Sequence, residues 1–456
     1  FGSSIRTPSN HPLSEIFHFF TTLMKYGLLP LLACHALAAL VAAEPIVIPL
    51  TQHTVNLGTD DAPARKSYFV GKLRVGGEEA QEMRVHFETG SGSVLLDSTR
   101  CQSPACLQHR QYAPGAAGAV DVDEHGSPAS PVRPRPHVAI GIDDHDTDDR
   151  GGKAIGDLLR DKICVGDAPG MACFDMGLVA ATNMTDRPFA LMPFDGLVGL
   201  GLDGVSVAPA FNFLGRMAAA SGLPDRFALY VPPSRQPGAP AAELSLGGHR
   251  ESRLALPLAW AAAWQPGSGF WQIHIQAIRV GGRDLGLCDD GGCVGLLDSA
   301  SSHIGVPSEW LPDLTKQLAV APGCGAHDGP ALEFILDGGI TLTLTPLEYA
   351  GPESNTPCAP QLHPFLADER ASAGKRVVNS KVLRAGVDLR TLILGEPLLR
   401  RYYTVFDAGA QRLGFGLSAA AAAAAAPERD EVIVLQQSAL LRENAGSRGS
   451  GRGMEL

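Results

Sequence analysis

Positive charge is scarce in this chain. Its 456 residues carry 37 Lys and Arg against 48 Asp and Glu, a formal net charge of -11. That balance argues against a nucleic-acid partner, which needs a basic face to neutralise phosphates. It suits an acidic compartment, but many proteins of neutral surroundings are equally acidic. Cys-His ligand spacing is also missing, and with it any expectation of zinc; the sequence implies no metal and no cofactor. One acidic run, Asp143-Asp144-His145-Asp146-Thr147-Asp148-Asp149-Arg150, offers oxygens to a cation, but such runs are generally solvated loops, and it is read as one. Charged residues make up only 19% of the chain and hydrophobic residues 45%, ample for a large core in two or three domains. Gly 52 and Pro 34 point to many turns and an all-β protein.

What the chain does have is one short pattern, met twice. Phe87-Glu88-Thr89-Gly90-Ser91-Gly92-Ser93 is echoed by Leu297-Asp298-Ser299-Ala300-Ser301-Ser302. Each places an acid after a strand-like run, then a hydroxyl residue, a very small residue and further hydroxyls. Met83-Arg84-Val85-His86-Phe87 alternates and Val294-Gly295-Leu296-Leu297 is apolar throughout. A carboxylate at a strand end is held rigidly and points out of the sheet. Two such units, one per half-chain, can bring two carboxylates face to face, where they share a proton. One then serves as base toward a water and the other as acid. Either stretch alone reads as a polar turn; the two together, in matching surroundings, favour the paired reading.

Those surroundings resemble the pepsin-like aspartic proteases from about Tyr68 to Leu417. Tyr68-Phe69-Val70-Gly71 is similar to the family's first mature strand, and Phe87 to Ser93 to its first Asp-Thr-Gly-Ser motif, with Glu for Asp. Phe194-Asp195-Gly196-Leu197-Val198-Gly199-Leu200 resembles the stretch crossing behind that motif. Leu297 to Ser302 resembles the second motif, with Ser-Ala-Ser for Thr-Gly-Thr. Leu392-Ile393-Leu394-Gly395-Glu396 and Arg401-Tyr402-Tyr403-Thr404-Val405-Phe406-Asp407 resemble the closing signature. The resemblance implies an all-β, bilobal pepsin-like fold of two related barrel-like lobes, with a peptide or protein substrate in the cleft between them. It also implies roles. Glu88 and Asp298 are the catalytic pair and Ser91 and Ser301 fix their oxygens. Thr89 and Ser299 bond across the lobe interface, and Gly90 and Ala300 complete the turns. Val138-Ala139-Ile140-Gly141 enters the flap, with Ile140 where the family carries a Tyr. Leu95 replaces a Trp that supports the flap.

The chain divides accordingly. Residues 1–23 are expected to be a non-native or fragment extension. Residues 24–43, with Met24-Lys25, an apolar run to Ala42 and Val41-Ala42-Ala43, read as a signal peptide, so no stable membrane span is expected after cleavage. Residues 44–66 are a short pro-segment or a linker with an extra edge strand; both readings stay open. The N-terminal lobe is 67–235 and the C-terminal lobe 236–418, with Ser234 to Pro240 as the boundary. Gly115 to Arg135 reads as an irregular loop and Ala208 to Ala220 as a helix stopped by Gly222. Residues 419–456 are expected to be a mobile, Ala-rich and charged tail. Cys34 falls in the signal peptide. The other eight form close pairs, Cys101 with Cys106, Cys164 with Cys173, Cys288 with Cys293 and Cys324 with Cys358, although spacing alone proves no pairing. All but Cys164 with Cys173 match disulfide positions of the family. Asn183-Met184-Thr185 is a glycosylation sequon. A monomer of the secretory pathway is expected, secreted or held in an acidic vacuole or lysosome-like compartment. His274, among apolar strand neighbours, is read as structural.

Three departures weigh on the chemistry. Glu88 adds one methylene, which moves a carboxylate by roughly 1.5 Å if nothing relaxes, and misplacement by about 1 Å can cost about 100-fold. Ala300 puts a methyl where the family has glycine, and the flap Tyr is absent. The first reading is an aspartic endopeptidase acting at acidic pH, with reduced activity. The second is a catalytically inactive pepsin-like protein that binds peptides or a partner in the cleft. A lectin or structural β-protein is a distant third, set against the ordered family signatures.

Overall fold

The computed structural model describes residues 44–57, 65–77, 80–130, 135–142, 152–167, 171–232, 241–353, 356–365 and 390–425. The expected signal peptide at 24–43, the acidic run, the expected lobe boundary at Ser234 to Pro240 and most of the expected tail lie outside these residues. The protein is built mainly of strands in two large sheets, an all-β fold of two lobes with a cleft between them.

The first strand, β1 (Ile46–Asn56), joins the halves. Its opening residues pair with Ala242–Leu246, Ile46 opposite Leu246. Its later residues pair with β2 (Arg65–Val75), Thr51 opposite Val70. It is therefore a bridge within the sheet order and not an edge. From Ala242–Leu246 the sheet continues through Arg226–Tyr230, Tyr402–Asp407 and Arg412–Leu417. In the other direction β2 pairs with β3 (Gln81–Glu88), and β3 lies parallel to Gly196–Gly199. That short strand also pairs antiparallel with β4 (Val94–Leu96).

The second half repeats this arrangement. Cys293–Leu297 lies parallel to Thr391–Leu394, which pairs antiparallel with Ile304–Pro307. These strands read as unbroken apolar runs because both faces are covered: every residue of Cys293–Leu297, Ile304–Pro307 and Thr391–Leu394 is buried. The fully buried Trp271 ties the halves together beneath the cleft, its indole Nε1 donating to Leu200 O at 2.8 Å.

Some local expectations are corrected. The helix is Phe213–Ser221, starting later than the periodicity suggests. Pro209 opens a separate short turn, and Asn212 then caps the helix by accepting from Gly215 N at 2.7 Å. Gly222 ends it with φ 71°. Gly115 to Arg135 is less irregular than expected, containing a helical turn Pro114–Ala117 and a strand Val120–Asp121. The alanine run begins as a helix, Ala419–Ala425, not as mobile chain. Ala421 is buried and Ala420 packs against a cluster containing Tyr230 and Tyr403, which supplies the packing that helix propensity alone does not.

Candidate active site

β3 delivers Glu88, and the chain turns at once. Leu200 N donates to Glu88 O at 2.7 Å and Gly201 N to Ser91 O at 2.6 Å, so the crossing strand clamps both ends of the turn. In the second half Asp298 N donates to Leu394 O at 3.2 Å and Glu396 N to Ser301 O at 2.8 Å. Close approach is obligatory at both clamps. A Cβ on Gly199 would lie 2.4 Å from Ser91 O, and one on Gly395 would lie 2.3 Å from Ser301 O.

The two turns meet through their hydroxyls. Thr89 N donates to Ser299 Oγ at 3.2 Å and Ser299 N to Thr89 Oγ1 at 3.0 Å. Each hydroxyl then donates across to the opposite strand end, Thr89 to Leu297 O at 2.8 Å and Ser299 to Phe87 O at 3.5 Å. Every member is buried, so the lattice fixes the two strand ends relative to each other.

Glu88 and Asp298 lie over this lattice, 9% and 8% exposed. The turns that carry them are in near contact: a Cβ on Gly90 would stand 3.8 Å from Asp298 Oδ1. Ser91 Oγ donates to Glu88 Oε1 at 2.6 Å, and Ala300 N donates to Asp298 Oδ1 at 2.9 Å. Burial pushes the Glu88 carboxyl up to about 7; the Ser91 hydrogen bond opposes this, the Asp298 charge adds to it and the Lys66 charge opposes it. Ser301 Oγ donates to His303 O at 3.4 Å. Ala300 is accommodated without backbone strain. Among the described residues only Gln265, Cys324 and Gln411 combine a side chain with positive φ.

The strand expected to enter the flap, His137–Ile142, pairs with Gly152–Val165, placing Ile140 opposite Ala154 and Gly141 opposite Lys153. Ile140 is buried in a cluster with Val138, Phe194 and Leu197 and has no hydroxyl to offer. Asp195, next to Phe194, is a structural acid. Burial raises its carboxyl, but hydrogen bonds from the Arg84 side chain, from Arg84 N and from Arg110 N outweigh this and hold it below the ordinary range. His274 stacks on Trp264 at 4.6 Å and pairs with Asp337 at 3.0 Å, away from the two carboxylate turns in the hydrogen-bond pattern. Asn183 is exposed, opposite Ile155 beside a bulge. Disulfides join Cys101 to Cys106, Cys164 to Cys173, Cys288 to Cys293 and Cys324 to Cys358. No group of three or more metal-ligating side chains, and no helix long and apolar enough to cross a membrane, occurs among the described residues.

Sequence reasoning missed a second layer. Gln52 Nε2, from β1, donates to Ser67 Oγ at 3.0 Å and to Glu396 Oε1 at 2.7 Å, and Arg400 pairs with Glu396. Ser67 N donates to Ser302 Oγ at 2.8 Å. Lys66 beside it is buried. The only signal was a basic residue just before Tyr68.

A family model described as eukaryotic aspartyl protease matches residues 149–418. The chain belongs to the eukaryotic aspartyl protease family. The matched span contains Asp298 but not Glu88. Relatives within the family include pepsin B of Canis lupus familiaris, 25% identical over 77% of this chain and 82% of its own length. Cathepsin E of Oryctolagus cuniculus is 26% identical over 76% and 79%, and gastricsin of Mus musculus 26% over 77% and 81%.

Proposed function

We propose that this aspartyl protease family member is an aspartic-type endopeptidase, using a water activated between Glu88 and Asp298. The observation that carries the reading is the Glu88 carboxyl, buried beside the Asp298 turn and raised to about 7. Glu88 then keeps its proton in weakly acidic solution while Asp298, accepting from Ala300 N, serves as the ionised partner. Asp298 takes a proton from the water, the water oxygen attacks the scissile carbonyl carbon, and the carbonyl oxygen takes the Glu88 proton. Asp298 then passes its proton to the amide nitrogen as the C–N bond breaks, Glu88 recovers a proton from a hydroxyl of the tetrahedral intermediate, and one water is consumed. Ser91 and Ser301 orient the carboxylates, Thr89 and Ser299 hold the turns together, and Gly90 and Ala300 form the floor. An extended peptide would lie in the cleft, with the flap at Ile140 and Gly141 contributing backbone contacts. The one-proton state reaches up toward pH 7, nearer neutrality than an ordinary carboxylate pair permits.

The remaining assignments belong to the same proposal: a signal peptide at 24–43, a pro-segment or linker at 44–66, lobes at 67–235 and 236–418, and glycosylation of Asn183. The four disulfides support an oxidising compartment. The test is cleavage of an unfolded protein from roughly pH 3 to 8, beside an Asp298→Ala control. Cleavage lost in the control is the expected result. A chain that binds the peptide at every pH but never cuts it would be the inactive cleft protein instead.

A further inference from the structure

Gln52 continues the buried face of β1. Ile46, Ile48 and Leu50 are buried, and side chains on one face of a strand recur every second residue. Gln52 is the next on that face. It lies opposite Phe69 of β2, and Thr54 lies opposite Ser67, so Gln52 and Ser67 are diagonal neighbours on the same side. The Gln52 amide uses both of its hydrogens. Nε2 donates to Ser67 Oγ at 3.0 Å and to Glu396 Oε1 at 2.7 Å. Glu396 is buried. Arg400 pairs with the same oxygen and donates to Pro232 O at 3.0 Å.

These bonds close a ring through the second carboxylate turn. Ser67 N donates to Ser302 Oγ at 2.8 Å. Ser302 follows Ser301, whose carbonyl accepts from Glu396 N at 2.8 Å, and the Glu396 side chain leads back to Gln52. β1, β2, the turn and the helix Glu396–Arg401 are thus joined in one circuit. The bonds between Thr89 and Ser299 hold the turn where it begins; the ring holds it where it ends. Between them Ala300 N donates to Asp298 Oδ1 at 2.9 Å and Ser301 N to Asp298 O at 3.3 Å. A shift at the end of the turn therefore moves the donor that sets the Asp298 carboxylate. The ring also needs this residue type. A carboxylate at position 52 would face Glu396 with no hydrogen to share, and Asn is shorter by about 1.5 Å, too short to keep both contacts.

We infer that Gln52 is a positioning residue for Asp298: it closes the ring that fixes the end of the second carboxylate turn, and it does so from β1 without touching substrate. The inference rests on Asp298 having the role proposed above, but the hold on the turn exists whether or not the pair turns over. β1 is then part of the working protein, and any pro-segment ends before Ile46.

The test compares the full chain with Gln52→Leu, Gln52→Glu, Glu396→Gln and the double exchange of Gln52→Glu with Glu396→Gln. In the double exchange the bond runs the other way, from an amide at position 396 to a carboxylate at position 52 that also accepts from Ser67 Oγ, so the ring is kept. Amide hydrogen exchange over residues 298–304 is read beside kcat and KM for an extended peptide. Each single change should speed that exchange about tenfold while Phe213–Ser221 keeps its protection. It should lower kcat about tenfold and leave KM within about twofold. The double exchange should bring both readouts back to within about threefold of the natural chain. Unchanged exchange in Gln52→Leu, unchanged kcat in a chain that cleaves, a double exchange no better than the single changes, or equal loss of protection in Phe213–Ser221 would each overturn the inference. So would a matured chain that begins beyond Gln52 and still cleaves. Should Gln52→Leu not fold, Gln52→Asn carries the same comparison, and failure of both to fold would assign Gln52 to folding and also overturn it. Absence of cleavage in every form, the natural chain included, with the exchange pattern as expected, would remove the proposed activity and leave the hold on the turn standing.

Discussion

Thr89 and Ser299, 210 positions apart, each donate a backbone N–H to the other's hydroxyl. Removing one hydroxyl orphans groups on both strand ends. Thr89→Val would leave Ser299 N without its acceptor and Leu297 O without its donor, at a cost of about 2–4 kcal/mol. Thr89→Ser keeps the oxygen and should cost under about 1 kcal/mol. Urea unfolding of the two variants decides; equal losses would mean that the methyl matters and the lattice does not.

Stability should fall as pH rises through neutrality. Glu88, raised from 4.5 to about 7, holds its proton more tightly folded than unfolded. The stabilisation this gives is complete below pH 4.5 and lost as pH passes 7, a total of about 3 kcal/mol. Glu88→Gln should flatten that part of the curve and become more stable than the natural chain above about pH 7. Unfolding midpoints on both sides of this window test the sign as well as the size.

Ser91 favours the ionised form of Glu88 through its 2.6 Å hydrogen bond. Ser91→Ala should therefore raise the Glu88 pKa further and carry the alkaline limb of kcat/KM upward by about one pH unit. A limb that moves down would mean that the hydroxyl serves the protonated acid.

Ala300→Gly separates backbone strain from crowding. Ala300 has no positive φ to relieve, so glycine should destabilise by about 0.5–1 kcal/mol through the unfolded chain. Turnover of extended peptides should rise, because the methyl group leaves the floor of the cleft. Falling stability with unchanged kcat/KM would assign Ala300 to the turn alone.

The architecture was readable because its markers are short and local. Phe87 to Ser93, Phe194 to Leu200 and Leu392 to Glu396 each form one strand and its turn, and their order specifies the rest. The helix start was misread at Ala208 because Pro209 carries apolar periodicity without continuing a helix. The second layer of the site was not readable at all. Gln52, Ser67 and Glu396 come together only when β1 and β2 are laid beside a helix more than 300 residues downstream. Alternation in β2 could have put Lys66 on the His86 face, but only with a register that the sequence does not print.

A chain trimmed past Asn56 would do more than lose a terminus. Ile46–Leu50 of β1 covers the edge of Ala242–Leu246 and Thr51–Asn56 covers the edge of β2, so its removal would bare one hydrogen-bonding ladder in each half. Such an opening invites a donated strand, and the nearest donor is another molecule of the same protein. Shortened forms should pair or precipitate, with the tie between the lobes turned into a point of adhesion.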